Sequence, residues 1–296
     1  MTIEEIPVSG PEAGPYAVTV GPDGMLWFTL VHQGAVARFD PATREVVTHP
    51  VGAGSGPTVI TSGPDGALWF TRYKDHRIGR VTTGGQVTSY ALPTPGAGPF
   101  GIVAGPDGAL WFTESPVDRI GRVTVAGTVT EFPLPVPAAF PSAIAAGGDG
   151  GLWFTMNGAD AIGRIGTGGQ VTVHPLPFPG SAPVGMAAAP DGALWFTEIG
   201  AGRIGRIRPD GAIEEFTLPD PASRPHAVTV DAHGDCWFTE WAANRVGRLT
   251  PAGDYRGYDL PTPACEPHGI TVGPDGALWV ALEIGALARL EVGRGG

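Results

Sequence analysis

Two acids and two histidines gather toward the end of this chain at spacings that suit metal-assisted acid–base chemistry. Glu266 and His268 flank Pro267, His226 lies one repeat earlier behind its own proline, and Glu283 closes the segment Trp279-Val280-Ala281-Leu282-Glu283. Side chains two apart on extended backbone share a face, so Glu266 and His268 are expected to look into one space, with Cα atoms roughly 6–7 Å apart. Two carboxylates beside neutral imidazoles suit a hard or borderline divalent cation, with Mg²⁺ favoured where oxygen ligands and water dominate. Glu266 and Glu283 are the expected ligands. A histidine left off the metal, with an ordinary pKa of about 6.5, can accept a proton at neutral pH. Metal plus base admits hydrolysis by an activated water, or proton abstraction beside a carbonyl followed by elimination.

These residues are positioned by a repeat. Pro15, Pro57, Pro99, Pro141, Pro183, Pro225 and Pro267 stand 42 residues apart, and so do Trp27, Trp69, Trp111, Trp153, Trp195, Trp237 and Trp279. Each copy holds four short apolar or β-branched segments separated by turn signals, Gly-Pro-Asp-Gly most often, which predicts four antiparallel strands per copy. One such sheet cannot bury both faces alone, so the copies must stack radially. The expected fold is all-β: a seven-bladed β-propeller forming a single domain over residues 1–296, with the tryptophans filling the gaps between blades. The seventh copy stops after its third strand, and the segment around Glu4-Glu5-Ile6-Pro7 is expected to supply the fourth and close the ring.

Departures from the consensus mark the site. The residue after each repeat proline should ring one mouth of the central channel, in the order Tyr16, Thr58, Phe100, Ser142, Val184, His226, His268. That makes a polar arc on blades six, seven and one, facing an apolar wall at Phe100 and Val184. The second strand runs back to the same mouth, where Glu240 and Trp241 on blade six are expected to support the site or touch substrate. His32, His49, His76, His174 and His233 lack such company and read as surface residues.

Composition excludes other classes. The chain has 18 basic and 29 acidic residues, a net charge of −11, and Lys74 is its only lysine, so it offers no basic stripe for nucleic acid. Its N-terminal residues lack a secretion signal and no stretch is long and apolar enough for a membrane span, which points to a cytoplasmic protein, read as a monomer. Cys236 and Cys265 have no metal-site spacing and read as free thiols.

The segments Arg224-Pro225-His226-Ala227, Trp237-Phe238-Thr239-Glu240-Trp241, Glu266-Pro267-His268-Gly269-Ile270 and Trp279-Val280-Ala281-Leu282-Glu283 resemble the virginiamycin B lyase family, and the resemblance spans the whole chain. It departs at Val280, where phenylalanine is usual in the repeat. The resemblance implies a propeller enzyme of antibiotic resistance that opens type B streptogramins, cyclic depsipeptides, by Mg²⁺-dependent elimination across the lactone ester. It further implies that His268 is the general base, that Glu266 and Glu283 help hold Mg²⁺, and that His226 and Tyr16 belong to the site. Two other classes remain open: a metal-dependent lactonase, whose product would carry solvent oxygen, and a ligand-binding propeller without catalysis.

Overall fold

The computed structural model describes residues 2–291. Among them, 28 strands form seven four-stranded antiparallel sheets, and the inner strand of each blade touches that of the next around a full circle. Blade one contains Pro15–Val20, Leu26–Leu30, Ala35–Phe39 and Val46–Pro50, from the channel outward. Blade seven contains Pro267–Val272, Leu278–Leu282 and Ala286–Glu291, and its outer strand is Thr2–Pro7. That strand pairs Glu4 with Arg289 and Ile6 with Leu287, so the two ends of the described chain close the ring as expected.

Tryptophan burial holds neighbouring blades together. All seven repeat tryptophans are at most 1 % exposed. Trp27 packs with Leu68 and Phe70 of blade two, and Trp279 with Leu26 and Phe28 of blade one. The aspartate of the turn does more than shape the turn. Asp65 accepts from Trp69 Nε1 at 2.9 Å and from Arg80 Nε at 2.7 Å, so one carboxylate ties the turn, the blade-gap ring and the third strand together. His49 and His174 also belong to this packing, stacking on Trp27 and Trp153 with centroids 5.5 and 5.4 Å away. The surface reading of those two histidines is therefore corrected: the outer strands of blades one to six each set a ring against the tryptophan, and in these two copies that ring is imidazole.

A threonine clasps the inner ends of successive blades. The amide of Ala17 donates to Thr29 Oγ1 at 3.0 Å, and that hydroxyl donates to the carbonyl of Thr58 on the next blade at 2.7 Å. The same pair of bonds recurs at Thr71, Thr113, Thr155, Thr197 and Thr239. The seventh copy has Ala281 there, which carries no oxygen, so the seam between blades seven and one is built without this clasp.

Candidate active site

Every inner strand enters at the channel mouth through the same bend. The residue before the repeat proline has positive φ in all seven copies: Gly14 (68°), Gly56 (58°), Gly98 (50°), Phe140 (46°), Ala182 (46°), Arg224 (52°) and Glu266 (48°). Glycine takes this left-handed region freely, whereas a residue with a Cβ is held there at a cost of about 1–2 kcal/mol. Glu266 is thus not on extended backbone, so strand alternation is not what brings it to His268. The bend at Glu266 and the register shift between Pro267 and Ile270 place the two side chains.

The side chains nevertheless converge. His268 is buried, and its Nε2 meets Glu283 Oε2 at 2.6 Å. Glu266, His268 and Glu283 each offer a ligand atom, and these atoms lie within 4.8 Å of one another. Tyr16 of blade one packs its ring 4.5 Å from that of His268, and His226 of blade six stands edge-on to His268 at 5.1 Å. Tyr16 Oη lies 3.5 Å from His226 Nε2.

Burial sets the protonation of this group. It pushes the Tyr16 hydroxyl above its ordinary value, an effect that the charge of Glu283 reinforces, so the phenol keeps its proton beside His226 Nε2. Burial, with His268 adding to it, lowers His226 to about 3, which leaves that imidazole neutral and a weak proton acceptor. Glu283 is pulled below the ordinary carboxylate range by its hydrogen bond to His268, against the opposing effect of burial and with help from His32. An ionised Glu283 accepts, so in this arrangement His268 carries its proton on Nε2.

The sixth and seventh blades differ in a way the sequence does not reveal by alignment alone. Glu240 pairs across from Pro225 at the mouth, as expected, yet its side chain is wholly buried and accepts the Tyr255 hydroxyl at 2.6 Å. It shares the parity of Phe238 and turns into the blade, so its expected place beside the substrate is corrected. Glu114 and Glu198 occupy the same buried position, and burial pushes them up to about 8 and about 7. Glu283 stands one residue later, past the end of its strand, and reaches the mouth instead. Trp241 opens a short helical turn, Trp241–Ala243, with the Arg224 guanidinium 5.8 Å above its ring, and forms the rim of blade six.

His32 is the residue that sequence reasoning missed. It lies in the loop after the second strand of blade one, and its Nε2 meets Glu283 Oε1 at 2.6 Å across the seam between blades. Its copies elsewhere are Lys74, Pro116, Gly158, Gly200, Ala242 and Ile284, so a solitary departure marked it, but a ring built only from inner strands does not include it.

Opposite the polar arc the channel is apolar. A cavity of about 220 Å³ is lined by Tyr16, Phe100, Ile144, Val184, Met186 and His226. Nearer the mouth, Phe140 and Tyr73 extend the same wall. The two carboxylates of Glu266 and Glu283, close together and partly open to this space, fit a divalent cation of the Mg²⁺ class and leave the His268 imidazole off the metal.

The family model for the virginiamycin B lyase family matches residues 1–290. A curated virginiamycin B lyase of Streptomyces coelicolor is 61% identical over 51 residues, 17% of this chain and 17% of its own length, so that match spans about a sixth of the relative. A solved streptogramin B lyase is 40% identical with a TM-score of 0.94, over 98% of this chain and 97% of that one. A catalytically inactive histidine-to-alanine variant of the virginiamycin B lyase of Staphylococcus aureus, solved with quinupristin, is 38% identical with a TM-score of 0.94, over 97% of this chain and 98% of that one.

Proposed function

The chain belongs to the virginiamycin B lyase family, and from that premise we propose that it linearises type B streptogramins by elimination across the lactone ester. The observation that carries this reading is the grouping of His268 with Glu283, Glu266, Tyr16 and His226 at one channel mouth, facing an apolar wall. A bulky cyclic depsipeptide presents apolar side chains to Phe100 and Val184 and its ester to the polar arc.

His268 is the proton acceptor in this proposal. His226, at about 3, is a poor base, whereas His268 is oriented by a carboxylate as catalytic imidazoles are. His268 removes the α-proton of the residue whose side-chain oxygen forms the ester. The C–H electron pair becomes the second Cα=Cβ bond, and the Cβ–O bond breaks with its own pair leaving on the carboxylate, giving a linear peptide with a dehydrobutyrine residue. Glu283 holds the imidazole in place. Tyr16, protonated, lies beside His226, which burial keeps neutral, and packs the face of His268. Glu266 and Glu283 would hold Mg²⁺, which when bound supplies charge withdrawal from the carbonyl beside the α-carbon. Closure of the ring within one chain supports reading residues 1–296 as one domain acting as a monomer.

The test is incubation of the purified protein with quinupristin and Mg²⁺ in ¹⁸O-labelled water. Ring opening at unchanged mass, with a dehydro residue and no label, is expected. A product heavier by one labelled water would make the protein a lactonase, and unchanged quinupristin would make it a binding propeller.

A further inference from the structure

Glu283 is gripped from both sides, and only one of the two grips belongs to its own blade. His268 holds Oε2, and His32, reaching from blade one, holds Oε1, each at 2.6 Å. The His32 ring is seated rather than loose. Its amide donates to the Ala13 carbonyl at 3.1 Å, and its Cδ2 lies where a side chain on Gly14 would go, 2.5 Å from an ideal Cβ. Gly14 therefore admits the ring twice over, through its positive φ of 68° and through the space it leaves.

Stability does not account for this pair. The His32 side chain is 48 % exposed, and exposed pairs contribute about 0–1 kcal/mol to folding. What the contact does fix is direction. Glu283 follows the last residue of its strand, Leu282, and among the described residues its backbone is held only by its amide, which donates toward the carbonyls of Cys265 and Glu266. A carboxylate on such a corner has several rotamers open to it, and a donor on each oxygen selects the one that faces Glu266.

We infer that His32 is a positioning residue that holds Glu283 ready for a divalent cation shared with Glu266. The inference rests on the proposed metal-binding role of those two acids. Groups that orient a metal ligand typically set affinity by about 10–100-fold. His32→Ala is therefore expected to raise the Mg²⁺ dissociation constant by that factor. His32→Gln, whose amide can still donate to Oε1, is expected to recover part of it.

The experiment is calorimetric titration of Mg²⁺ into the chelator-treated full chain, for the unchanged protein and both variants, alongside their thermal midpoints. Weaker binding in His32→Ala, partial recovery in His32→Gln and unchanged midpoints are expected. Equal Mg²⁺ affinity in His32→Ala overturns the inference, and so does a wild-type protein that binds no Mg²⁺, whether or not it opens quinupristin. A wild-type protein that binds Mg²⁺ in a His32-dependent way yet leaves quinupristin intact refutes the lyase proposal and leaves the inference standing.

Discussion

Glu283 stands one position later in its repeat than Glu240 does in the preceding one, and that single step turns a carboxylate from the blade interior to the channel mouth. Glu240 is 0 % exposed and bonded to Tyr255, whereas the Glu283 side chain is 26 % exposed and lies between His32 and His268. Because side-chain direction alternates along a strand, position outweighs residue type here.

The two acids should therefore respond differently to the same change. Glu283→Gln keeps the shape but removes the charge, and turnover of quinupristin should fall by at least about 10²-fold, the lower range for losing the group that orients a general base. Glu240→Gln keeps an acceptor for Tyr255 and should leave turnover within about threefold, an energy change under 1 kcal/mol. Steady-state rates of the two variants, measured side by side, check this.

The threonine clasps give a prediction about the ring itself. Thr239→Val keeps the volume but strips a partner from the Ala227 amide and the His268 carbonyl, at about 1–3 kcal/mol for each unsatisfied buried group. Its urea midpoint should drop clearly. Ala281→Thr would offer the missing clasp between blades seven and one, and should raise the midpoint by an amount worth about 1 kcal/mol.

Buried Glu114 makes stability depend on pH. Burial pushes its carboxyl up to about 8, and among the described residues neither of its oxygens has a hydrogen-bond partner. A carboxyl with a folded value above its unfolded value of about 4.3 binds more protons folded than unfolded. Its contribution is then complete below about pH 4 and is lost as pH rises toward 8. Urea midpoints should decline across that window, and Glu114→Gln should flatten the decline.

Much of the fold was legible because the repeat is gapless. Fixed Pro and Trp positions gave seven blades, and the truncated last copy gave the closure through Glu4 and Ile6. The polar arc at Tyr16, His226 and His268 was legible for the same reason, since aligned copies place aligned residues on one ring. Four features were not. The bend at Glu266 depends on φ, which glycine in the aligned copies hints at but does not state. The inward turn of Glu240 depends on which face of its strand looks toward the next blade. His32 comes from a loop whose path across the seam no spacing encodes, and His49 and His174 look like surface residues until a tryptophan is placed beneath them.

The central claim is that His268 removes an α-proton and the ester then opens without water. A type B streptogramin carrying deuterium at the α-carbon of its ester-bearing residue tests this most directly, with the label followed in the linear product by mass spectrometry. The account requires that the product lose the deuterium to solvent, and that His268→Ala, while still folded, release it at least about 10²-fold more slowly. A linear product that retains the deuterium would contradict it.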